Sequence, residues 1–150
     1  MDVGGATRWT PERLFPRTEM LDLLARHYGA ITSAPHEESA PAQRYRLPDG
    51  TTFGIIASTT APFCRACDRS RLSADGFWFL CLYGKSGLNL REMLRRHASD
   101  DEIGALLSTT WARRADRGAE ERLAVADRSP LVSLETLRRD PHWEMHTRGG

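Results

Sequence analysis

The stretch PFCRACDRSRLSADGFWFLCL, residues 62–82, contains every cysteine of the chain. Cys64 and Cys67 form a C-x-x-C pair, and Cys81 follows after thirteen further residues. The letters ADG at residues 74–76 predict a turn between two strands, so the stretch has the pattern of an antiparallel hairpin. Such a hairpin would place Cys81 on the return strand, folded back toward the first two thiols. A site built from three thiols is therefore the first hypothesis that the sequence raises.

The composition is that of an ordinary soluble globular protein. The chain has 150 residues, enough for one domain, with 27% charged and 40% hydrophobic residues. Its net charge of +1 argues against nucleic-acid or membrane binding through long-range attraction. No secretory signal is visible at the N-terminus, and the longest apolar run, residues 77–83, is too short to span a bilayer. An odd number of cysteines without an export signal indicates a reducing compartment, so we expect a cytoplasmic protein.

Short helices and strands are predicted before the cysteine stretch. Thr18 predicts the N-cap of a helix over residues 19–28, and Gly29 is expected to end it. Residues 33–42 have the composition of a loop. A second turn signal, the PDG of residues 48–50, predicts an antiparallel hairpin, because proline presets φ and glycine permits a positive φ.

Helix signals follow the cysteine stretch. Two pairs of residues have the spacing of a capping box at a helix start: Asn89 with Glu92, and Ser99 with Glu102. Residues 116–132 are charged and are predicted to be irregular. A short helix is predicted over residues 133–139, stopped by Pro141.

Three cysteines are compatible with two kinds of metal site. A structural zinc ion takes four ligands, so zinc would require a histidine beside the thiolates, in a Cys₃His module that joins a partner protein. The candidates for that fourth ligand are His27, His36, His97, His142 and His146. A [4Fe–4S] cluster held by three thiolates instead leaves its fourth iron open to a ligand from outside the protein. An open metal position is where catalytic sites bind and polarise substrates.

Two arginines stand two and four residues beyond Cys67. Arg69 and Arg71 would share one face if this segment is a strand. Guanidinium groups match phosphate oxygens, and two of them in parallel suit a polyphosphate. Either arginine could also be a solvated surface charge, and the sequence alone leaves both interpretations open.

The pattern F-C-x-x-C-[N/D]-R-x-R-L-x-A-D-G followed by C-L resembles the C-terminal cluster motif of the MoaA family. These are radical S-adenosylmethionine enzymes of molybdenum cofactor synthesis that act as GTP 3′,8-cyclases. The resemblance extends beyond the motif. MDVG before Trp9 is similar to the last barrel strands of the family, residues 44–58 to the hairpin before the cluster, and residues 90–107 to the helices after it. The double glycine at the end resembles the family's tail.

The resemblance implies an α+β fold. Residues 1–40 would form the end of an incomplete TIM-like (β/α) barrel. Residues 41–150 would form the cluster-binding and GTP-binding segment, made of antiparallel hairpins and helices. No catalytic side chain is implied within this chain.

The resemblance also implies which residues bind metal, cofactor and substrate. The metal ligands would be those of an auxiliary [4Fe–4S] cluster: Cys64, Cys67 and Cys81. GTP would be bound by three neighbouring residues: Arg69, Ser70 and Arg71. Met1 occupies the place where the family's strand touches S-adenosylmethionine, and Gly149 and Gly150 would thread toward the active site.

The chain departs from the family pattern in three places. Asp68 stands where asparagine is more common, and residues 127–146 are longer and less typical than expected. The family's first cluster uses C-x-x-x-C-x-x-C, which this chain lacks because its three cysteines stand in the other motif. We therefore expect the C-terminal part of a cyclase, as a fragment, a split subunit or a truncated product. It would be inactive alone, with a radical S-adenosylmethionine half as its partner; a homodimer is also left open.

Overall fold

The computed structural model describes residues 14–58, 60–125 and 133–140. These residues belong to two compact units. The first contains residues up to 68 together with 119–125, and the second contains residues 69–118 together with 133–140. Both units combine helices with an antiparallel sheet of three short strands, so the α+β class is confirmed. The barrel predicted over residues 1–40 and the boundary at residue 41 stay predictions.

The first unit opens with helix α1, Arg17–Tyr28. Its N-cap is Pro16, whose carbonyl accepts the first helical hydrogen bond from the N–H of Met20 at 3.0 Å. The predicted cap Thr18 is wrong, because the fixed φ of proline starts the helix earlier and leaves Thr18 inside the first turn. The predicted end is confirmed: Gly29 takes a φ of +91°, a conformation that favours glycine.

The sheet of the first unit has the order β1-β2-β3, with β1 at Thr32–Ser33, β2 at Ala42–Arg46 and β3 at Thr52–Ile56. The predicted hairpin is confirmed, since β2 and β3 pair antiparallel around a turn in which Gly50 has a φ of +90°. The loop predicted over residues 33–42 is wrong at its two ends, which belong to β1 and β2. Ladder pairing to β2 outweighs local loop composition there.

A small core covers one face of this sheet. Tyr45 on β2 stacks on its ladder partner Phe53, with ring centroids 5.6 Å apart, and Ile55 is buried beside them. Arg17 donates a hydrogen bond to the side chain of Gln43, which ties the start of α1 to the sheet.

The sheet of the second unit has the order β4-β5-β6, with β4 at Arg71–Leu72, β5 at Phe77–Phe79 and β6 at Leu88–Asn89. The hairpin predicted around ADG is confirmed, with Gly76 at a φ of +87°. Ser73 explains why the turn is well defined: its buried hydroxyl donates to the carboxylate of Asp75 and accepts from the N–H of Phe77.

Two helices of the second unit begin at the predicted caps, and a third begins one residue after its predicted start at Ser133. They are α2 at Leu90–Arg95, α3 at Asp100–Ala112 and α5 at Leu134–Arg139. Asn89 caps α2, Ser99 forms a complete capping box with Glu102 on α3, and Ser133 caps α5. Pro141, the predicted stop of α5, lies outside the described residues. Phe79 and Leu137 supply the buried apolar side chains of this unit, and Trp78 stacks on Trp111.

Helix α4, Gly118–Ala124, lies in the segment that was predicted to be irregular, and that prediction is wrong here. The residues after Gly118 are good helix formers, and Glu120 and Glu121 place negative charge in the first turn, where the helix dipole favours it. None of the described helices is both long enough and apolar enough to cross a membrane.

Candidate functional site

The first two cysteines lie on either side of one tight turn. A short 3₁₀ helix covers Cys64–Ala66, and the N–H of Cys67 donates to the carbonyl of Cys64 at 3.3 Å. Both side chains are half-buried. A C-x-x-C segment wound in this way keeps two thiols within one turn of backbone, as a chelating pair requires.

Cys81 lies beyond the end of the return strand. Strand β5 ends at Phe79, so the prediction that Cys81 stands on that strand is wrong. The chain turns instead, and the N–H of Gly84 donates to the carbonyl of Cys81 at 3.0 Å. This turn uses the carbonyl of Cys81 locally, which is why the ladder does not continue through it.

All three cysteines lie among the described residues, and none of them is in a disulfide. Cys64 and Cys67 belong to the first unit and Cys81 to the second. Within the described parts of the chain, no group of three or more His, Cys, Asp and Glu side chains gathers in a way that could hold a metal ion. A site that joins the three thiols therefore stays a prediction. Their donor chemistry fits a cluster, because soft thiolates are the ligands of iron–sulfur centres.

Arg71 carries the most informative polar atom of the second unit. Its Nε is buried and finds no hydrogen-bond partner among the described residues, while its Nη1 donates to the carbonyl of Ser70 at 3.3 Å. A buried donor without an acceptor costs about 1–3 kcal/mol, so such groups usually mark a missing ligand, ion or water. An anion beside β4 would supply that acceptor.

Arg69 does not share a strand with Arg71. Strand β4 pairs with β5 only through Arg71 and Leu72, so the prediction of one common strand face is wrong. The partner strand ends at Phe79, opposite Arg71, and no ladder position remains for residue 69. Arg69 is half-buried and Ser70 is exposed, immediately before the strand.

The remaining predicted residues fall outside the described part of the chain. Met1, Gly149 and Gly150 are among them, as are His142 and His146. The other candidates for a fourth zinc ligand, His27, His36 and His97, are all exposed.

Gly118 is a site residue that the sequence reasoning missed. A methyl group added at Gly118 would lie 2.5 Å from Cβ of Tyr83 and 3.1 Å from the Sγ of Cys81. Residue 118 thus lies beside the third thiol, and both belong to the second unit. No sequence motif relates positions 81 and 118, so their proximity is visible only in the folded structure.

Comparison with known proteins agrees with the motif. Residues 1–120 match the family described as Molybdenum Cofactor Synthesis C. A protein of Mycobacterium tuberculosis named GTP 3′,8-cyclase 1 is 59% identical over 150 residues, which cover all of this chain and 42% of that relative. A GTP 3′,8-cyclase of a Synechococcus species is 34% identical over 151 residues, covering 100% of this chain and 41% of the relative.

A third match comes from Staphylococcus haemolyticus. Its GTP 3′,8-cyclase is 36% identical over 124 residues, which cover 81% of this chain and 36% of the relative. The chain thus spans less than half the length of the curated relatives that it matches. The protein is a member of the MoaA family of molybdenum cofactor synthesis and corresponds to the family's C-terminal portion.

Proposed function

We propose that this chain is the C-terminal part of a GTP 3′,8-cyclase, which carries out the first step of molybdenum cofactor synthesis. Cys64, Cys67 and Cys81 hold an auxiliary [4Fe–4S] cluster, and residues 69–71 bind GTP. The observation that best supports the nucleotide site is the buried Nε of Arg71, which lacks an acceptor within the described residues. The names of the relatives supply the substrate.

The work of this chain is to bind and orient. The guanidinium groups of Arg69 and Arg71 hold phosphate oxygens through charge-assisted hydrogen bonds, and Ser70 adds a hydroxyl. When bound to the three cysteines, the cluster would supply an iron with a free coordination position for a ligand from outside the protein. Fixing the substrate in one orientation removes entropy that the reaction would otherwise lose in its transition state.

The rest of the cyclase belongs to the same proposal. Residues 1–40 complete the barrel that binds S-adenosylmethionine, with Met1 touching that cofactor, and Gly149 and Gly150 reach toward the active site. The radical chemistry requires the half that carries C-x-x-x-C-x-x-C, so this chain alone is catalytically incomplete. These assignments rest on the family relationship and on matching positions.

Metal analysis tests the cluster assignment. Chain reconstituted under anaerobic conditions should contain about four iron and four sulfide ions, as a cluster of this type requires. Cys81→Ser should lose most of both, because two thiolates cannot hold the cluster. Arg113→Ala, which changes an exposed residue at the end of α3, should keep both. Stoichiometric zinc without sulfide would contradict the cluster and favour the Cys₃His zinc module.

Equilibrium binding tests the nucleotide site. Arg71→Ala should weaken GTP binding to the reconstituted chain about ten-fold or more. A partly desolvated charge-assisted hydrogen bond contributes about 1.5–3 kcal/mol, and about 1.4 kcal/mol corresponds to one factor of ten. Arg71→Lys should recover part of the loss, because an ammonium group cannot bind two oxygens as a fork.

Arg113→Ala is the matched control, since it removes an exposed arginine of the same unit. It should bind GTP as the wild type does. Equal affinity of wild type and Arg71→Ala, with equal iron content, would show that Arg71 is not part of a GTP site.

A further inference from the structure

Gly118 is the first residue of α4, and it lies against the turn that contains Cys81. The two distances from a hypothetical Cβ at this position are 2.5 Å to Cβ of Tyr83 and 3.1 Å to Sγ of Cys81. The first is shorter than real Cβ contacts, and its partner is the root of a side chain, which cannot move without the backbone. A side chain at 118 therefore requires residue 118 or the 81–84 turn to shift.

The 81–84 turn is also closed by a backbone hydrogen bond. The N–H of Gly84 is bonded to the carbonyl of Cys81, and a methyl group at Gly84 would lie 3.0 Å from that same carbonyl oxygen. The carbonyl of Cys81 is thus bonded to residue 84, and its sulfur lies 3.1 Å from the position that a Cβ at residue 118 would take. A shift of the turn forced by a side chain at 118 would therefore act on the residue that carries the third thiol.

The helix offers no reason of its own for glycine at 118. Glycine is less favourable than alanine in helix interiors by roughly 0.5–1 kcal/mol, and helix propensity gives no reason to prefer it at the first helical position. Gly104 on α3 shows the contrast, because a methyl group there would have no neighbour within 4 Å. The lack of room at 118 is therefore specific to the contact with Tyr83 and Cys81.

We propose that Gly118 is a positioning residue for the thiol of Cys81: by having no side chain, it lets the backbone at residue 118 lie against the 81–84 turn of the same unit and fixes the direction in which this thiol is offered to metal. The proposal deepens the cluster assignment above and rests on it. The residue binds nothing itself. It acts through the geometry of one ligand, as residues around metal ligands commonly do.

The first experiment measures bound iron and labile sulfide in the 150-residue chain after anaerobic reconstitution and desalting. Gly118→Ala should lower the affinity for metal about ten-fold, the effect typical of losing a residue that orients a ligand. Less iron and sulfide should therefore remain bound after desalting. Gly104→Ala makes the same chemical change where there is room, and it should retain the wild-type content. Wild-type content in Gly118→Ala would overturn the proposal.

The second experiment needs no metal, so it separates this proposal from the cluster assignment. In a Cys64→Ser, Cys67→Ser background the only thiol is Cys81, and its rate of alkylation by iodoacetamide reports its surroundings. Gly118→Ala should change that rate several-fold, while Gly104→Ala should not. If the wild type holds zinc instead of a cluster, the cluster assignment fails, yet this comparison still decides the role of Gly118.

A second-site variant distinguishes a specific clash from general damage. Tyr83→Gly removes the Cβ that an alanine at 118 would meet first. The double variant Gly118→Ala, Tyr83→Gly should therefore return the alkylation rate of Cys81 toward that of Tyr83→Gly alone. A rate in the double variant that stays at the Gly118→Ala value would refute the steric explanation, and this comparison remains decisive even if Gly118→Ala alone folds poorly.

Discussion

Gly50 and Gly76 allow the cost of backbone strain at a single position to be distinguished from the cost of a steric clash. Both glycines end hairpin turns with nearly the same φ, +90° and +87°. A methyl group at Gly50 would meet nothing within 4 Å, whereas one at Gly76 would lie 2.7 Å from Cβ of Arg91. An alanine at either position would bear the cost of a left-handed backbone, but only an alanine at 76 would also clash with Arg91.

Alanine at both positions should therefore have unequal effects. Gly50→Ala should weaken its hairpin by about 1–2 kcal/mol, the cost of a left-handed conformation for an L-residue. Gly76→Ala should lose about 1–3 kcal/mol more, because overpacking adds to the strain. Hydrogen exchange of the amides in each hairpin measures the two losses locally. Equal losses would mean that the chain around Arg91 yields without cost.

The sequence predicted these glycines because a turn is decided within four residues. The letters PDG and ADG contain all that the turns require, so both were found. The orphaned Nε of Arg71 and the contact between Gly118 and Cys81 were not predictable in this way. Each depends on residues far apart in the chain. Residue type and spacing do not predict which face of a strand is buried.

At the scale of elements, helix α3 depends on its first turn. The carboxylate of Glu102 accepts hydrogen bonds from the backbone N–H and the hydroxyl of Ser99, at 2.8 and 3.3 Å. These two bonds, backbone first, hold the pKa of Glu102 below its ordinary value, with a smaller contribution from the charge of Arg96. Folding therefore favours the ionised carboxyl.

The stability of α3 should consequently decrease in acid. A carboxyl whose pKa is lower in the folded state stabilises fully above its unfolded pKa, and the stabilisation is lost as the pH falls through the folded pKa. Helical signal measured during urea unfolding, from neutral pH into the acid range, should show this decline. Glu102→Gln should flatten it, whereas Asp101→Asn, an exposed neighbour in the same turn, should leave the decline attributable to Glu102 unchanged.

Elements set by local signals were predicted better than elements set by pairing. The caps at Asn89 and Ser99 were found, because a capping box is a pattern of four residues. The end of β5 before Cys81 was missed, because strand length depends on the partner strand and on the turn that follows. Helix α4 was missed because the charged residues of this segment suggested an irregular, solvent-exposed conformation.

At the scale of the whole molecule, the described residues leave large apolar side chains uncovered. Ile56, Leu72 and Leu94 are 61%, 62% and 63% exposed. Burying one such side chain fully contributes about 1.5–3 kcal/mol, so this surface represents unused stabilisation.

The proposed function predicts that this chain alone does not cleave S-adenosylmethionine, because its cysteines are all assigned to the auxiliary cluster. The resemblance to the family implies a first cluster held by C-x-x-x-C-x-x-C, and the three cysteines here stand in the other motif. The purified chain, reconstituted with iron and sulfide and then reduced, should therefore release no 5′-deoxyadenosine from S-adenosylmethionine, as measured by chromatography. The complete Mycobacterium tuberculosis relative serves as the control under identical conditions. Product formed by the chain alone at a rate comparable with that control would show that the cleavage does not need the first motif.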